Sequence, residues 1–210
     1  RKIQIAGPSV GDEFFGKKST ESDNVVLEKY GVTGRYVFYV GGFDLRKNIS
    51  TLLEAFKMLL EKQGDQNINL VLAGEDKSQY SPLFADIKKE IRKLGLEKNT
   101  ELVGFVKQKD LPAFYRQAEM YILPSLYEGF GLMVLEAMAS GTPTAVSKSS
   151  SLPEVGGHAV LYFNPYDTEE MARVMGKIMR NPKLRHRLSE KGRERAKKFS
   201  WKKFVENILG

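Results

Sequence analysis

Met120-Tyr121-Ile122-Leu123-Pro124-Ser125-Leu126-Tyr127-Glu128-Gly129-Phe130-Gly131-Leu132-Met133-Val134-Leu135-Glu136 is the stretch whose reading decides the fold. Its first four residues form a β-like apolar run. Its end, continued to Ala139, is an apolar run of Leu, Met, Val and Ala that reads as a short helix. Glu128 then lies in the strand-to-helix loop, and Glu136 lies more than a turn into the helix. A helix N-terminus at Gly131 or Leu132 points free backbone N–H groups over the loop. Glycines there let an anion approach the backbone closely. Such a loop can hold a phosphate, with a carboxylate on either side to accept hydrogen bonds from hydroxyls. The plainer alternative is a pair of surface acids flanking a turn.

Outward from this stretch the alternation repeats. Residues 36–40, 69–73, 101–103, 144–146 and 159–163 read as further strands. Residues 49–62, 82–94, 110–118 and 152–155 read as helical, with Asp110 as a cap and Gly95 as a stop. Strands alternating with helices at this pace predict an α/β fold, a Rossmann-like parallel sheet with helices on both faces. After Phe163 the strands stop, and residues 168–179, 182–199 and 200–209 read as three consecutive helices. Residues 1–34 are poorly periodic and rich in turn formers. They are expected to be a linker with a short helix near 24–30. The domain proper is expected over residues 35–199.

The chain has 210 residues, 41% of them hydrophobic, which is ample for one core. It has no cysteine. That excludes disulfides, cysteine-held zinc and thiol catalysis, and fits a reducing, cytoplasmic setting. No apolar run approaches the roughly 18–20 residues of a membrane span. The net charge of +7 is unevenly placed. Residues 177–203 hold twelve Lys or Arg against Glu190 and Glu194, a balance of +10, so the rest of the chain sums to −3. Leu184, Leu188, Ala196 and Phe199 form a packing stripe in that region. The bases there are either its solvated face or a contact with the anionic inner face of a membrane. Few aromatics interleave them, which speaks against nucleic acid.

In open parallel sheets, ligands bind at the carboxyl ends of the strands. The loop after the first strand is Gly41-Gly42-Phe43-Asp44-Leu45-Arg46-Lys47-Asn48. Two glycines with Arg46 and Lys47 before a helix suit a diphosphate. A plain glycine turn with two solvated bases would look the same. The loop after the third strand, Gly104-Phe105-Val106, offers backbone groups to a base edge and an apolar wall, or is simply a tight turn. Ser147 to Ser151, before Leu152-Pro153-Glu154-Val155, can also hold phosphate or sugar hydroxyls. Asp44 and Asp76 lack partners at metal-ligand spacing, so no metal site is expected. His158 and His186 are isolated in sequence and are assigned no catalytic role.

Gly41 to Asn48, Gly104-Phe-Val106, Pro124-Ser125, Glu128-Gly-Phe-Gly-Leu132, Glu136-Ala137, Gly141-Thr-Pro143 and Pro153-Glu154-Val155 together resemble family 4 of the retaining glycosyltransferases. These are two-domain enzymes of the GT-B architecture, and residues 36–209 resemble their C-terminal, donor-binding half. The resemblance implies that Glu136 accepts hydrogen bonds from the donor's ribose and that Glu128 lies beside the donor sugar. The backbone of Phe130, Gly131 and Leu132 would contact sugar and phosphate, and Lys47 the diphosphate. Many members have Gly-Arg where this chain has Gly41-Gly42, and Arg46 is expected to take over that charge. The donor site is thus expected to comprise Gly42, Arg46, Lys47, Gly104, Phe105, Val106, Glu128, Phe130, Gly131, Leu132 and Glu136. Glu128, Lys47 and Arg46 are the candidates for catalysis.

The resemblance further implies a nucleoside-diphosphate sugar as donor and no separate cofactor. The Gly-Gly-Phe-Asp loop is similar to that of mannosyltransferases using GDP-mannose. An acceptor-binding N-terminal domain is implied as partner, with residues 200–210 crossing back to it. These 210 residues alone are therefore expected to bind donor without transferring sugar. Two other readings remain: a nucleotide-sugar-binding module without catalysis, and an adaptor that meets anionic surfaces through its basic helices.

Overall fold

In the computed structural model, residues 9–16, 21–63, 67–80 and 82–199 are described. Six strands form one sheet: β1 (Arg35–Val40), β2 (Ile68–Ala73), β3 (Thr100–Gly104), β4 (Met120–Leu123), β5 (Thr144–Ser147) and β6 (Leu161–Phe163). Their order is β3-β2-β1-β4-β5-β6, and every neighbouring pair is parallel. The helices are α1 (Glu21–Glu28), α2 (Ile49–Gln63), α3 (Ile87–Leu94), α4 (Leu111–Gln117), α5 (Leu132–Ala139), α6 (Leu152–Gly156), α7 (Thr168–Met179) and α8 (Pro182–Ala196). Tyr36, Val37, Phe38 and Tyr39 of β1 are wholly buried, as are all four residues of β4. Such continuous apolar runs belong to strands covered on both faces. The chain leaves β1 toward β2 on one side, and β4 continues the sheet on the other. The order in which strands are added therefore reverses between β1 and β4. This is where the loops of a parallel sheet part to make a crevice.

Several expected boundaries differ, each for a physical reason. The helix expected over 82–94 begins only at Ile87. Asp86 caps it by accepting from the Lys89 amide at 2.9 Å. The residues before it are pulled away as an extended strip: the Leu45 amide bonds the Leu83 carbonyl, and the Ala85 amide the Phe43 carbonyl. The last strand starts at Leu161 and α8 ends at Ala196. The described part of residues 1–34 packs as part of the domain. Phe14 is buried with its ring edge-on to Tyr115, centroids 5.9 Å apart. Val10, Leu27 and Val32 join the same core, and Arg116 holds buried Asp23 at 2.5 Å. The expected helix over 200–209 lies outside the described residues.

The bases of α8 divide into two sets. Three of its arginines turn inward to main-chain carbonyls at the C-terminal ends of other helices. Arg185 donates to Met179 of α7, Arg193 to Ser140 at the end of α5 (3.0 Å), and Arg195 to Val155 of α6 (3.0 Å). A cation there satisfies orphan carbonyls and meets the negative end of the helix dipole. Lys183, Arg187 and Lys191 are exposed beside Glu190 and Glu194. No helix among the described residues is long and apolar enough to cross a membrane.

Candidate functional site

The site is built from the loops after β1 and β4, where the strand order reverses. After β1 the chain turns at Gly41, at φ +155, with Gly74 of the neighbouring loop packed against it. A Cβ on Gly41 would lie 2.7 Å from the Tyr39 hydroxyl, and one on Gly74 only 2.2 Å from the Gly41 carbonyl. Both positions therefore require glycine. A single 3₁₀ turn, Leu45–Lys47, follows and ends at Asn48 in the left-handed region, φ 57. The Asn48 amide group donates to the carbonyls of Pro124 (3.2 Å) and Pro165 (2.8 Å), tying the loops after β1, β4 and β6 together. The Leu126 amide completes the junction on the Arg46 carbonyl, 2.7 Å away.

This junction brings Lys47 to Glu128. The Lys47 Nζ lies 2.6 Å from Glu128 Oε1, and both side chains are close to nine-tenths buried. Ser125 Oγ donates to the same oxygen at 2.7 Å. Arg46 goes elsewhere. Its guanidinium pairs with Asp44 at 2.9 Å and is mostly exposed at the rim. Beside the pair, α5 starts at Gly131, φ 97, where a Cβ would meet Leu152 at 2.8 Å. No side chain caps this helix start. The Phe130 ring stands edge-on to Phe199, 6.1 Å between centroids, so the loop also leans on the end of the α8 segment.

The serines expected to hold ligand face the loop instead. Ser147 donates to the Ser125 carbonyl (2.5 Å) and Ser149 to that of Leu126. Ser150 accepts from the Glu128 amide at 2.9 Å, and Ser151 donates to the Glu128 and Phe130 carbonyls, both at 3.0 Å. This run is a strap that fixes the main chain of 125–130.

A cavity of about 520 Å³ opens across the ends of β1, β2 and β3. Gly41, Gly42 and Gly74 form its glycine wall, and Phe84, Phe105 and Val106 its apolar walls. Gln108 lines it too and donates to Glu136 Oε1 at 3.3 Å, while the Tyr115 hydroxyl donates to Glu136 Oε2 at 2.8 Å. Burial raises the Glu136 carboxyl above its ordinary value, and these two bonds oppose the rise. Beneath lie the phenols of Tyr39, Tyr115 and Tyr121, all pushed well up, first by burial and then by nearby acids. They stay neutral. Among the described residues the Tyr121 hydroxyl has no hydrogen-bond partner.

Of the residues picked out from sequence, Lys47 and Glu128 pair, with Gly131 three residues further on at the start of α5. Gly42, Phe105 and Val106 line the cavity, and Glu136 is bonded to Gln108 of its lining. Gly104 turns the chain into it at φ +70. Leu132 is exposed at the helix start. Arg46 is the outlier. Sequence reasoning passed over Gln108 and Tyr115, and also Glu75, Lys77 and Phe84 of the cavity wall. Tyr115 sits in an apolar helical run and counts there as packing, so only its hydroxyl betrays the second role. No group of three or more metal-ligating side chains comes together among the described residues.

A six-stranded parallel sheet with helices around it and a glycine-lined crevice at its carboxyl edge is a Rossmann-like α/β domain of the kind found in GT-B glycosyltransferases. The chain belongs to the glycosyl transferases group 1, whose family model matches residues 28–195. It is 31% identical to mannosylfructose-phosphate synthase of Agrobacterium fabrum, over all of this chain and 47% of that protein. It is 34% identical to O-antigen chain mannosyltransferase B of Escherichia coli, over 84% of this chain and 45% of the relative. Among solved structures, sucrose-phosphate synthase from Thermosynechococcus elongatus superposes with a TM-score of 0.79 at 27% identity, over 96% of this chain and 50% of that one. The chain thus spans about half the length of these relatives.

Proposed function

We propose that this chain is the donor-binding half of a retaining glycosyltransferase that moves a sugar, mannose by the likeness to its relatives, from a nucleoside-diphosphate sugar to an acceptor hydroxyl. The observation that carries the reading is the buried Lys47–Glu128 pair beside the uncapped start of α5, at the point where the strand order reverses. A diphosphate entering there competes with Glu128 for the lysine and takes up the helix amides. Glu128 is then free to accept a hydroxyl of the donor sugar. Glu136, held by Tyr115 and by Gln108 of the cavity lining, accepts from the ribose.

In the reaction the bond from the anomeric carbon to the diphosphate oxygen breaks, and one to the acceptor oxygen forms on the same face. The acceptor proton leaves with a diphosphate oxygen or to water. The charge growing on the diphosphate is met by Lys47 and the α5 amides, which are already in place. Arg46 joins them if its guanidinium leaves Asp44.

Leu45, Tyr80, Phe105, Tyr127 and Tyr166 are exposed, each on a loop after a strand, so this edge is apolar as well as polar. That suits a second, acceptor-binding domain closing over it. A membrane role for α8 finds less support, because its inward arginines are already bonded. The proposal is tested by calorimetry with nucleoside diphosphates and their nucleosides. Diphosphates should bind and nucleosides bind far more weakly, with the difference shrinking at high salt. Equal affinity for both sinks the phosphate role of Lys47. The anomeric configuration of the product made by the full-length enzyme decides retention.

A further inference from the structure

The cavity has one polar corner that the donor reading leaves unused. Four of its lining side chains are charged or carry an amide: Asp44, Glu75, Lys77 and Gln108. Asp44 is engaged by Arg46 at 2.9 Å, and Gln108 by Glu136. The remaining two form a pair, Lys77 Nζ to Glu75 Oε2 at 3.1 Å, both about half exposed. They stand on the loop after β2, on the same cavity wall as Gly74, with Phe84 and Phe105 as apolar neighbours in the lining. Flat aromatic walls suit a planar ring, and a cation beside a carboxylate presents a donor next to two acceptors.

We propose that Glu75 and Lys77 read the base of the donor nucleotide and select guanine. The inference rests on the donor-site reading above. Guanine's pairing edge offers an oxygen acceptor, then a ring N–H, then an amino group. Lys77 matches the oxygen, and the two oxygens of Glu75 match the two adjacent donors. Each other base sets an acceptor against that carboxylate: uracil its second carbonyl, adenine and cytosine a bare ring nitrogen. A site that hydrogen-bonds one base edge disfavours analogues that leave its polar groups unpaired. Hypoxanthine keeps the oxygen and ring N–H but lacks the amino group, so it separates the two contacts made by Glu75.

The test is calorimetry of the 210-residue chain with GDP, IDP, UDP and ADP. GDP should bind roughly tenfold or more tightly than UDP and ADP, with IDP between. Glu75→Ala should bring GDP and IDP level and remove most of the preference over UDP. Lys77→Gln should weaken GDP and IDP alike. Thermal unfolding near the wild-type temperature shows that each variant is folded. If the diphosphates bind without preference, or the preference survives both substitutions, the base assignment is wrong while the donor site stands. If none of the four binds, the donor-site reading itself falls, and this one with it.

Discussion

Arg185, Arg193 and Arg195 of α8 end on carbonyls at the termini of three other helices, whereas Lys47, at the carboxyl edge of the sheet, ends on the carboxylate of Glu128. Both regions bury positive charge, but the acceptors differ in kind. A helix-end carbonyl belongs to the main chain and cannot leave, so a cation on it acts as a clasp for the fold. A lysine held by a crevice carboxylate can exchange that partner for a ligand's phosphate. A buried ion pair is itself weak evidence for stability, because desolvation offsets much of its attraction. The two regions therefore show that local density of Lys and Arg does not mark a binding site. The richest stretch of this chain in basic residues is partly scaffold.

The contrast can be broken most decisively at Lys47. Lys47→Ala leaves Glu128 buried with Ser125 as its remaining side-chain partner among the described residues, and should cost about 3–5 kcal/mol in denaturant unfolding. Adding Glu128→Ala should restore much of that stability while donor binding stays lost. A Lys47→Ala protein within about 1 kcal/mol of wild type would show that the pair is already loose, and the proposed exchange with phosphate would lose its basis.

A smaller effect is expected at Glu136. Glu136→Gln keeps an acceptor for the Tyr115 hydroxyl but removes the charge, and should weaken nucleotide binding by roughly tenfold or more. Burial raises this carboxyl above 4.5 in the folded chain, so the fold favours the neutral acid. The stability this contributes is present below the unfolded value and is lost as pH rises through the higher folded value. The proposed ribose contact runs the other way, since a diol would need the ionised acceptor. As pH climbs above 4.5, wild type should lose stability relative to Glu136→Gln while its nucleotide affinity rises. Parallel slopes would contradict the assignment.

The smallest effects belong to α8. Arg193→Ala should cost about 1 kcal/mol and lower Tm by about 2–4 °C, with nucleotide affinity unchanged. Lys183→Ala, on the exposed face, should stay within about 0.5 kcal/mol. If Arg193→Ala instead weakened nucleotide binding while leaving Tm alone, the clasp and the site would not be separate.

The sheet was legible because its central strands are uninterrupted apolar runs and the helices between them keep their period. The early start expected for α3 failed because Leu83 and Ala85 bond residues 43 and 45, about forty positions away, which periodicity along one segment cannot register. The first 34 residues were read as a linker because their apolar residues are scattered. Yet Phe14, Leu27 and Val32 need no period to fill gaps around α4. At the site, Lys47, Glu128 and Glu136 were legible as charges against a glycine-rich, apolar background. The serines were recognised as polar but assigned outward, since the sequence does not say which way a hydroxyl turns. Glu75 and Lys77 gave no signal, because a charged pair in a loop is the commonest thing a surface shows.

Ser150 holds the Glu128 main chain from a backbone at φ +46, which a serine adopts rarely, and it does so through one N–H. That amide is in effect a built-in gauge of the crevice. In deuterium exchange its proton should be slow while the strap is fastened. It should slow further when a nucleotide sits against Gly131, and quicken in a Ser150→Ala protein even where the sheet amides keep their pace. A measurement on one proton would then follow the order of the whole loop without any assay of sugar transfer.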